Sequence, residues 1–234
     1  MFQMCKNEAI NGVTRDGGYG EYVTLRSEAV VRVPTDVDPA AYAPILCAGI
    51  TVFNSLRNQH IIPGEVVAVQ GLGGLGHLAL QYANKMGYKT VAISSSADKE
   101  KFARDLGAHE YIDGSKEDIG QALQKMGGAA CIIFTAPNAK LIPPLISGLG
   151  PLGKLLILAA AGPVEINPGM MIQNGLSIVA WPAGHALDCE EAIDFAMRHG
   201  VNCMVERFKL DDANEALQHM LSGKVRFRAV ITMD

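Results

Sequence analysis

The alternation of apolar and polar residues changes rhythm at Pro63-Gly64. Val66-Val-Ala-Val69 is a continuous apolar run, the pattern of a strand covered on both faces. From Gly74 to Met86 the spacing is helical, with Leu75, Leu78, Ala79, Tyr82, Ala83 and Met86 on one side and Gly87 as the stop. Strands are then predicted at residues 90–93, 111–112, 130–134, 153–158 and 176–181. Helices are predicted between them at 99–106, 117–126 and, weakly, 140–146. Strands alternating with helices for this long predict an α/β fold: a doubly wound parallel sheet of about six strands with helices on both faces.

The flanks read differently. Residues 22–26 and 29–33 look like two short strands closed by Pro34. Asp38-Pro39 reads as a helix N-cap followed by proline at the first helical position, and a second helical stretch runs from Ala48 to about Leu56. The tail predicts helices at 190–198 and 211–221 and strands at 203–208 and 227–233.

Composition narrows the function classes. Of 234 residues, 49% are hydrophobic and 19% charged, enough for a sizeable core and too apolar for disorder. A net charge of −4 leaves no electrostatic footprint for nucleic acid or an anionic membrane. The longest apolar run, residues 155–161, is too short for a bilayer, and the first residues lack a signal peptide's apolar stretch. Cys5, Cys47, Cys131, Cys189 and Cys203 form no C-x-x-C pair, so no disulfide framework or local zinc knuckle is expected. The expectation is a reducing, cytoplasmic setting.

The chemistry centres on Gly71-Leu72-Gly73-Gly74-Leu75-Gly76, a G-x-G-x-x-G run between a buried strand and an apolar helix. Gly71 permits a tight turn, a side chain at Gly73 would block a diphosphate, and Gly76 allows close helix packing. The helix N-terminus offers N–H groups and a positive dipole end to phosphate oxygens. About 20 residues on, where an NAD site places Asp or Glu, the chain has Ser94-Ser95-Ser96 with Lys99 and Lys101 close by. Hydroxyls and a lysine suit a 2′-phosphate that a carboxylate would repel, which predicts NADP(H) as the preferred cofactor. The alternative is a polar loop that accepts NAD(H) as well.

Cys47-Ala48-Gly49-Ile50-Thr51, the Gly71–Gly76 loop, Leu106-Gly107-Ala108 and Asp16-Gly17-Gly18-Tyr19 occur in one order over nearly the whole chain. Together they resemble zinc-type alcohol dehydrogenases of the medium-chain dehydrogenase/reductase superfamily. The resemblance implies a Rossmann domain (residues 47–184), the remnant of a GroES-like β-barrel domain (1–46), and a return to that domain (185–234). It implies NAD(P)(H)-dependent hydride transfer between an alcohol and an aldehyde or ketone, with zinc polarising the oxygen. On the resemblance, Cys47 matches a catalytic zinc ligand and Thr51 a catalytic residue lining the nicotinamide side. Lys99 matches the lysine on the adenosine ribose, Thr135-Ala136 the segment beside the nicotinamide, and Ala159-Ala160 the carboxamide loop. Arg228 matches the arginine on the diphosphate, and Cys5 the last of four structural-zinc cysteines. A homodimer through the strand from Ser177 to Trp181 is also implied.

The family pattern places its other zinc ligands and proton relay upstream of these motifs. One thiolate is too few for a catalytic zinc, which needs about three protein ligands. Met1-Phe2-Gln3-Met4-Cys5 reads like the interior of a structural lobe, as in a truncated chain or a fragment. Two further readings therefore stand beside the alcohol dehydrogenase: a zinc-free enone reductase, and a nucleotide-binding module without turnover. His77 is expected to pack inside the helix and His185 to cap or lie in a loop. His60, His109, His199 and His219, at element ends, are expected to be solvated. Cys131, Cys189 and Cys203 are expected to act as small apolar residues.

Overall fold

The computed structural model describes residues 4–233, so the Met1-Phe2-Gln3 part of the lobe reading lies outside the described residues. Two compact units emerge, residues 55–181 and the described parts of 1–54 and 182–234.

The unit at 55–181 is a six-stranded parallel sheet. Its strands are β1 (Val66–Gln70), β2 (Lys89–Ser94), β3 (Glu110–Asp113), β4 (Ala129–Phe134), β5 (Leu149–Ile157) and β6 (Ser177–Ala180), in the order β3-β2-β1-β4-β5-β6. Every residue of β1 is buried. Val66 and Ala68 join Val91, Ile93, Ile132 and Phe134 in one apolar cluster. The pleat therefore turns Val67 and Val69, both fully buried, to the opposite face. This is why the run carries no polar alternation. The helix after β1 packs on β1 and β2, and those of residues 119–124 and 142–146 pack on the cluster face.

The other unit opens with α1 (Pro39–Tyr42), where the Asp38 carboxylate accepts from the Ala40 N–H at 3.2 Å, the cap that the sequence predicts. The helix α2 (Ala48–Arg57) follows, and its last three residues count with the unit at 55–181. In the first unit, α3 (Gly76–Lys85), α4 (Glu100–Asp105), α5 (Ile119–Gln124), α6 (Ile142–Ile146) and α7 (Pro168–Asn174) connect the strands. The tail supplies α8 (Ala186–His199), β7 (Val205–Lys209), α9 (Ala213–Leu221) and β8 (Arg228–Thr232), with β7 and β8 pairing in parallel and α9 packed on them.

Three expectations change. Residues 22–26 and 29–33 are not strands: the segment holds only a 3₁₀ turn at Ser27–Ala29, and no ladder partner lies beside it among the described residues. Its apolar side chains stay outside, with Tyr22 92% exposed. The α7 helix was not expected, although Asn167 caps it through Gly169 N–H at 3.0 Å and Gly175 ends it in the left-handed region. Finally, two of the end-of-element histidines are engaged rather than simply solvated. His109 Nδ1 accepts from Thr90 N–H at 3.0 Å, and His219 Nε2 lies 2.7 Å from Glu206 Oε2.

Candidate functional site

The carboxyl ends of the parallel strands open on one edge of the sheet. There β1 and β4 are neighbours, and the strand order runs outward from them in both directions. Such a switch point leaves a crevice for a ligand. Many of the residues singled out from the sequence arrive at it: Gly71–Gly76 after β1, Ser94 ending β2 with Ser95 and Ser96 following, Thr135 and Ala136 after β4, and Ala159 and Ala160 just past β5.

The loop glycines differ in what they do. Gly71 sits at φ +98°, and a Cβ there would stand 2.9 Å from Thr135 Oγ1. Gly76 is helical, so its backbone would accept alanine, but a Cβ would press into the Gly71 carbonyl and lie 2.9 Å from its carbon. Gly73 is exposed, with nothing within 4 Å of a Cβ position. The loop thus closes tightly on itself at Gly71 and Gly76 and stays open at Gly73. Leu75, the N-cap of α3, supplies no side-chain hydrogen bond to the helix. An anion over Gly73 would meet main-chain donors and the positive end of α3 without a competing side chain.

Thr135 has a role the sequence could not show. Its N–H donates to Gln70 O at 3.0 Å, and its hydroxyl lies 2.9 Å from Gln70 O and 3.1 Å from Gly71 O. It therefore clasps the end of β1 to the end of β4 beneath the loop. Only the β1–β4 register, with Gln70 opposite Phe134, brings these residues together. Gln70 is itself buried, and its side-chain oxygen has no hydrogen-bond partner among the described residues. A buried acceptor of this kind next to the loop suits a site that takes a donor from outside the chain.

The end of β2 carries no carboxylate. Ser94 is buried, and its carbonyl accepts from Gly114 N–H at 2.8 Å. Ser96 Oγ accepts from Asp98 N–H at 3.4 Å, and the Tyr111 hydroxyl donates to Ser96 O. Burial is the main cause of the raised Tyr111 phenol pKa, so Tyr111 stays a donor there. Ser95 is exposed. Lys99 makes no ion pair among the described residues, whereas Lys101 is taken by Asp105 at 2.8 Å. Asp98, exposed beside Lys99, is an adverse charge for a phosphate that the sequence reading passed over.

The other candidates belong to the second unit. It holds a cavity of about 510 Å³ whose lining includes Cys5, Cys47, Ile50, His185 and Cys189. Cys5 and Cys47 are exposed. Burial pushes the Cys189 thiol up to about 11, helped by Glu190 and Cys47, and its Sγ sits 4.0 Å from Leu46 O. His185 caps α8, as expected: its Nδ1 accepts from Asp188 N–H at 3.3 Å while Asp188 Oδ2 accepts from His185 N–H at 2.9 Å. Thr51, one turn into α2, donates its hydroxyl to Cys47 O at 2.7 Å. Arg228 opens β8, and its charge partly offsets the burial that raises Cys203 to about 11. In the first unit, Cys131 of β4 is fully buried, with its thiol pushed up to about 12.

A catalytic zinc takes about three protein ligands. Among the described residues no three His, Cys, Asp or Glu side chains converge to hold a metal ion, so Cys47 does not find a complete ligand set here. Among the same residues, no single helix is long and apolar enough to cross a membrane.

A family profile described as zinc-binding dehydrogenase matches residues 74–225. The chain is 60% identical over 232 residues to alcohol dehydrogenase patD of Penicillium expansum, covering 99% of this chain and 68% of that protein. It is 37% identical over 234 residues to an alcohol dehydrogenase of Geobacillus stearothermophilus, covering 98% and 68%. Among solved structures, the alcohol dehydrogenase of the hyperthermophilic archaeon Aeropyrum pernix matches with a TM-score of 0.89 at 26% identity, over 98% of this chain and 69% of that one. A cinnamyl alcohol dehydrogenase of Sorghum bicolor matches with a TM-score of 0.78 at 33% identity, over 88% of this chain and 58% of its own. The G-x-G-x-x-G crevice, the profile across most of the sheet and the close relatives agree: the chain belongs to the zinc-binding dehydrogenase family and is an oxidoreductase of the alcohol-dehydrogenase type.

Proposed function

We propose that this chain binds NADP(H) in preference to NAD(H), diphosphate on the Gly71–Gly76 loop, and serves reversible hydride transfer between a small alcohol and its aldehyde or ketone. The observation that carries the reading is the open approach over Gly73, beside a loop closed by Gly71 and Gly76. The nicotinamide, when bound, gives or accepts the hydride. The chain's own residues orient it and supply the surrounding charge. The main-chain donors at the start of α3 take the diphosphate oxygens. Thr135 holds the loop against β4, so these donors are set before the ligand arrives.

Cofactor choice follows from the end of β2. A carboxylate there would accept from the ribose hydroxyls and repel a 2′-phosphate. The Ser95 hydroxyl and the Lys99 ammonium supply donors and a positive charge instead. Fluorescence titration with NADPH and NADH tests the choice: NADPH should bind about tenfold more tightly or better, the scale of one charge-assisted contact. Ser94→Asp should reverse the order. Equal affinities in the unaltered chain, or an unchanged order in the variant, would remove the 2′-phosphate argument. Turnover of an alcohol, aldehyde and enone panel tests the hydride step. NADPH binding with no turnover of any of them would leave a binding module in its place.

The same reading places a second copy of the chain against β6. Among the described residues that strand pairs with β5 alone, leaving the Ser177–Ala180 edge for a partner across a two-fold axis. Sedimentation should show a dimer, and Val179→Lys should weaken it. A monomer at micromolar concentration would end this part of the reading.

A further inference from the structure

We propose that His77 is a positioning residue for the diphosphate loop, its imidazole holding the Gly73 peptide in the orientation the dinucleotide meets. The inference rests on the cofactor reading above and extends it. His77 lies in the first turn of α3 and is fully buried. Its ring Nδ1 is 3.2 Å from the Gly73 carbonyl oxygen, and its backbone N–H donates to the same oxygen at 3.0 Å. A carbonyl only accepts, so Nδ1 carries the proton. One residue thus grips one carbonyl twice.

What it grips explains why this matters. Gly73 is exposed and has no side chain, and among the described residues no atom beyond its chain neighbours lies within 4 Å of where a Cβ would stand. No side chain of its own anchors it, and glycine has the widest backbone freedom of any residue, so hydrogen bonds to its carbonyl are what hold its peptide. With the Gly73 carbonyl turned into the helix, the planar trans peptide turns the following N–H the other way. That is the side from which phosphate oxygens approach a helix N-terminus. The turn is anchored from below as well, because Gln81 Nε2 donates to the His77 carbonyl at 3.1 Å. The emptiness that admits the diphosphate would leave the loop loose, and the buried imidazole offsets that looseness before binding.

His77→Leu and His77→Asn, made in the full chain, test this. Asparagine places an amide N–H close to where Nδ1 stands, and leucine places none. His77→Leu should weaken NADPH about tenfold, equivalent to ~1.4 kcal/mol and the scale of one neutral hydrogen bond. Adenosine 2′-monophosphate, which has no diphosphate, should compete with affinity unchanged within about twofold, because it does not use the loop. His77→Asn should restore NADPH to within about threefold, since the donor returns. The proposal is overturned by unchanged NADPH affinity in His77→Leu, by equal weakening of both ligands, or by an asparagine variant as weak as leucine. An unaltered chain that binds no NADPH would instead bring down the cofactor reading, and the inference with it.

Discussion

A single methyl group at Gly76 tests the architecture of the loop separately from its chemistry. The added Cβ would press into the Gly71 carbonyl, 2.9 Å from its carbon and 3.2 Å from Thr135 Oγ1. These obstacles are main chain, or a side chain already clasped to main chain, so none can rotate aside. Gly71 can retreat only by lengthening its 3.1 Å contact with the Thr135 hydroxyl. Overpacking of this kind costs about 1–3 kcal/mol, and a loosened hydrogen bond adds about 1 kcal/mol. Alanine recovers about 0.5–1 kcal/mol of backbone entropy in a helix, which leaves a net loss of about 1–3.5 kcal/mol. At roughly 2–4 °C per kcal/mol for a chain of this size, Gly76→Ala should melt about 2–14 °C lower by circular dichroism. Gly73→Ala should melt within about 2 °C of the unaltered chain, because its methyl group meets nothing. It should nevertheless bind NADPH at least about tenfold more weakly, since the methyl group occupies the diphosphate's approach. An unchanged melt for Gly76→Ala would refute the packing argument. A Gly73→Ala variant that binds NADPH normally would refute the cradle.

Three further outcomes are expected. Thr135→Val keeps the shape but removes the hydroxyl from Gln70 O and Gly71 O; it should cost about 1–2 kcal/mol by denaturant titration, and an unchanged midpoint would show the clasp to be idle. In the native chain Cys5 and Cys47 should be alkylated by iodoacetamide, while Cys131, raised to about 12, and Cys189 and Cys203, raised to about 11, stay unmodified until unfolding. Their thiolate fractions near pH 8 fall by about a hundredfold to a thousandfold, and early labelling of Cys131 by mass spectrometry would contradict the burial. Glu206 is held below its usual 4.5, first by the Arg226 N–H at 2.7 Å and then by His219. Its folded pKa is depressed, so its contribution is present above the ordinary carboxylate range and lost as pH falls through the depressed value. The melting gap between the unaltered chain and Glu206→Gln should therefore be constant near neutrality and close in acid; a gap that widens in acid would reverse the sign.

The parallel sheet was legible because burial on both faces writes itself into sequence. All five residues of β1 are buried, and four of them stand as an unbroken apolar run. The loop was legible because a side chain is disfavoured at both ends of it, by the positive φ at Gly71 and by the close approach of the Gly71 carbonyl at Gly76. Residues 22–33 misled because alternation predicts a strand only when a neighbouring ladder exists, and none is present among the described residues. The α7 helix escaped because it buries no residue fully, with Ile172 82% exposed, so no core-facing stripe marks it. Thr135 and His77 are more instructive. Their types were visible, but their roles depend on which carbonyl lies beneath each polar group. For Thr135 that is set by the β1–β4 register, and for His77 by one turn of α3.

The clasp between Thr135 and the end of β1 joins residues 64 and 65 positions apart. A growing polypeptide that has emerged only as far as β3 already owns the glycine loop, yet lacks the strand that steadies it. The crevice comes into being only when the later βαβ half docks, and closing so long a span is a slow event in folding. Ligand occupancy should therefore report completed assembly of both halves of the sheet, and nucleotide supplied during synthesis would find nothing to hold until the fourth strand is in place.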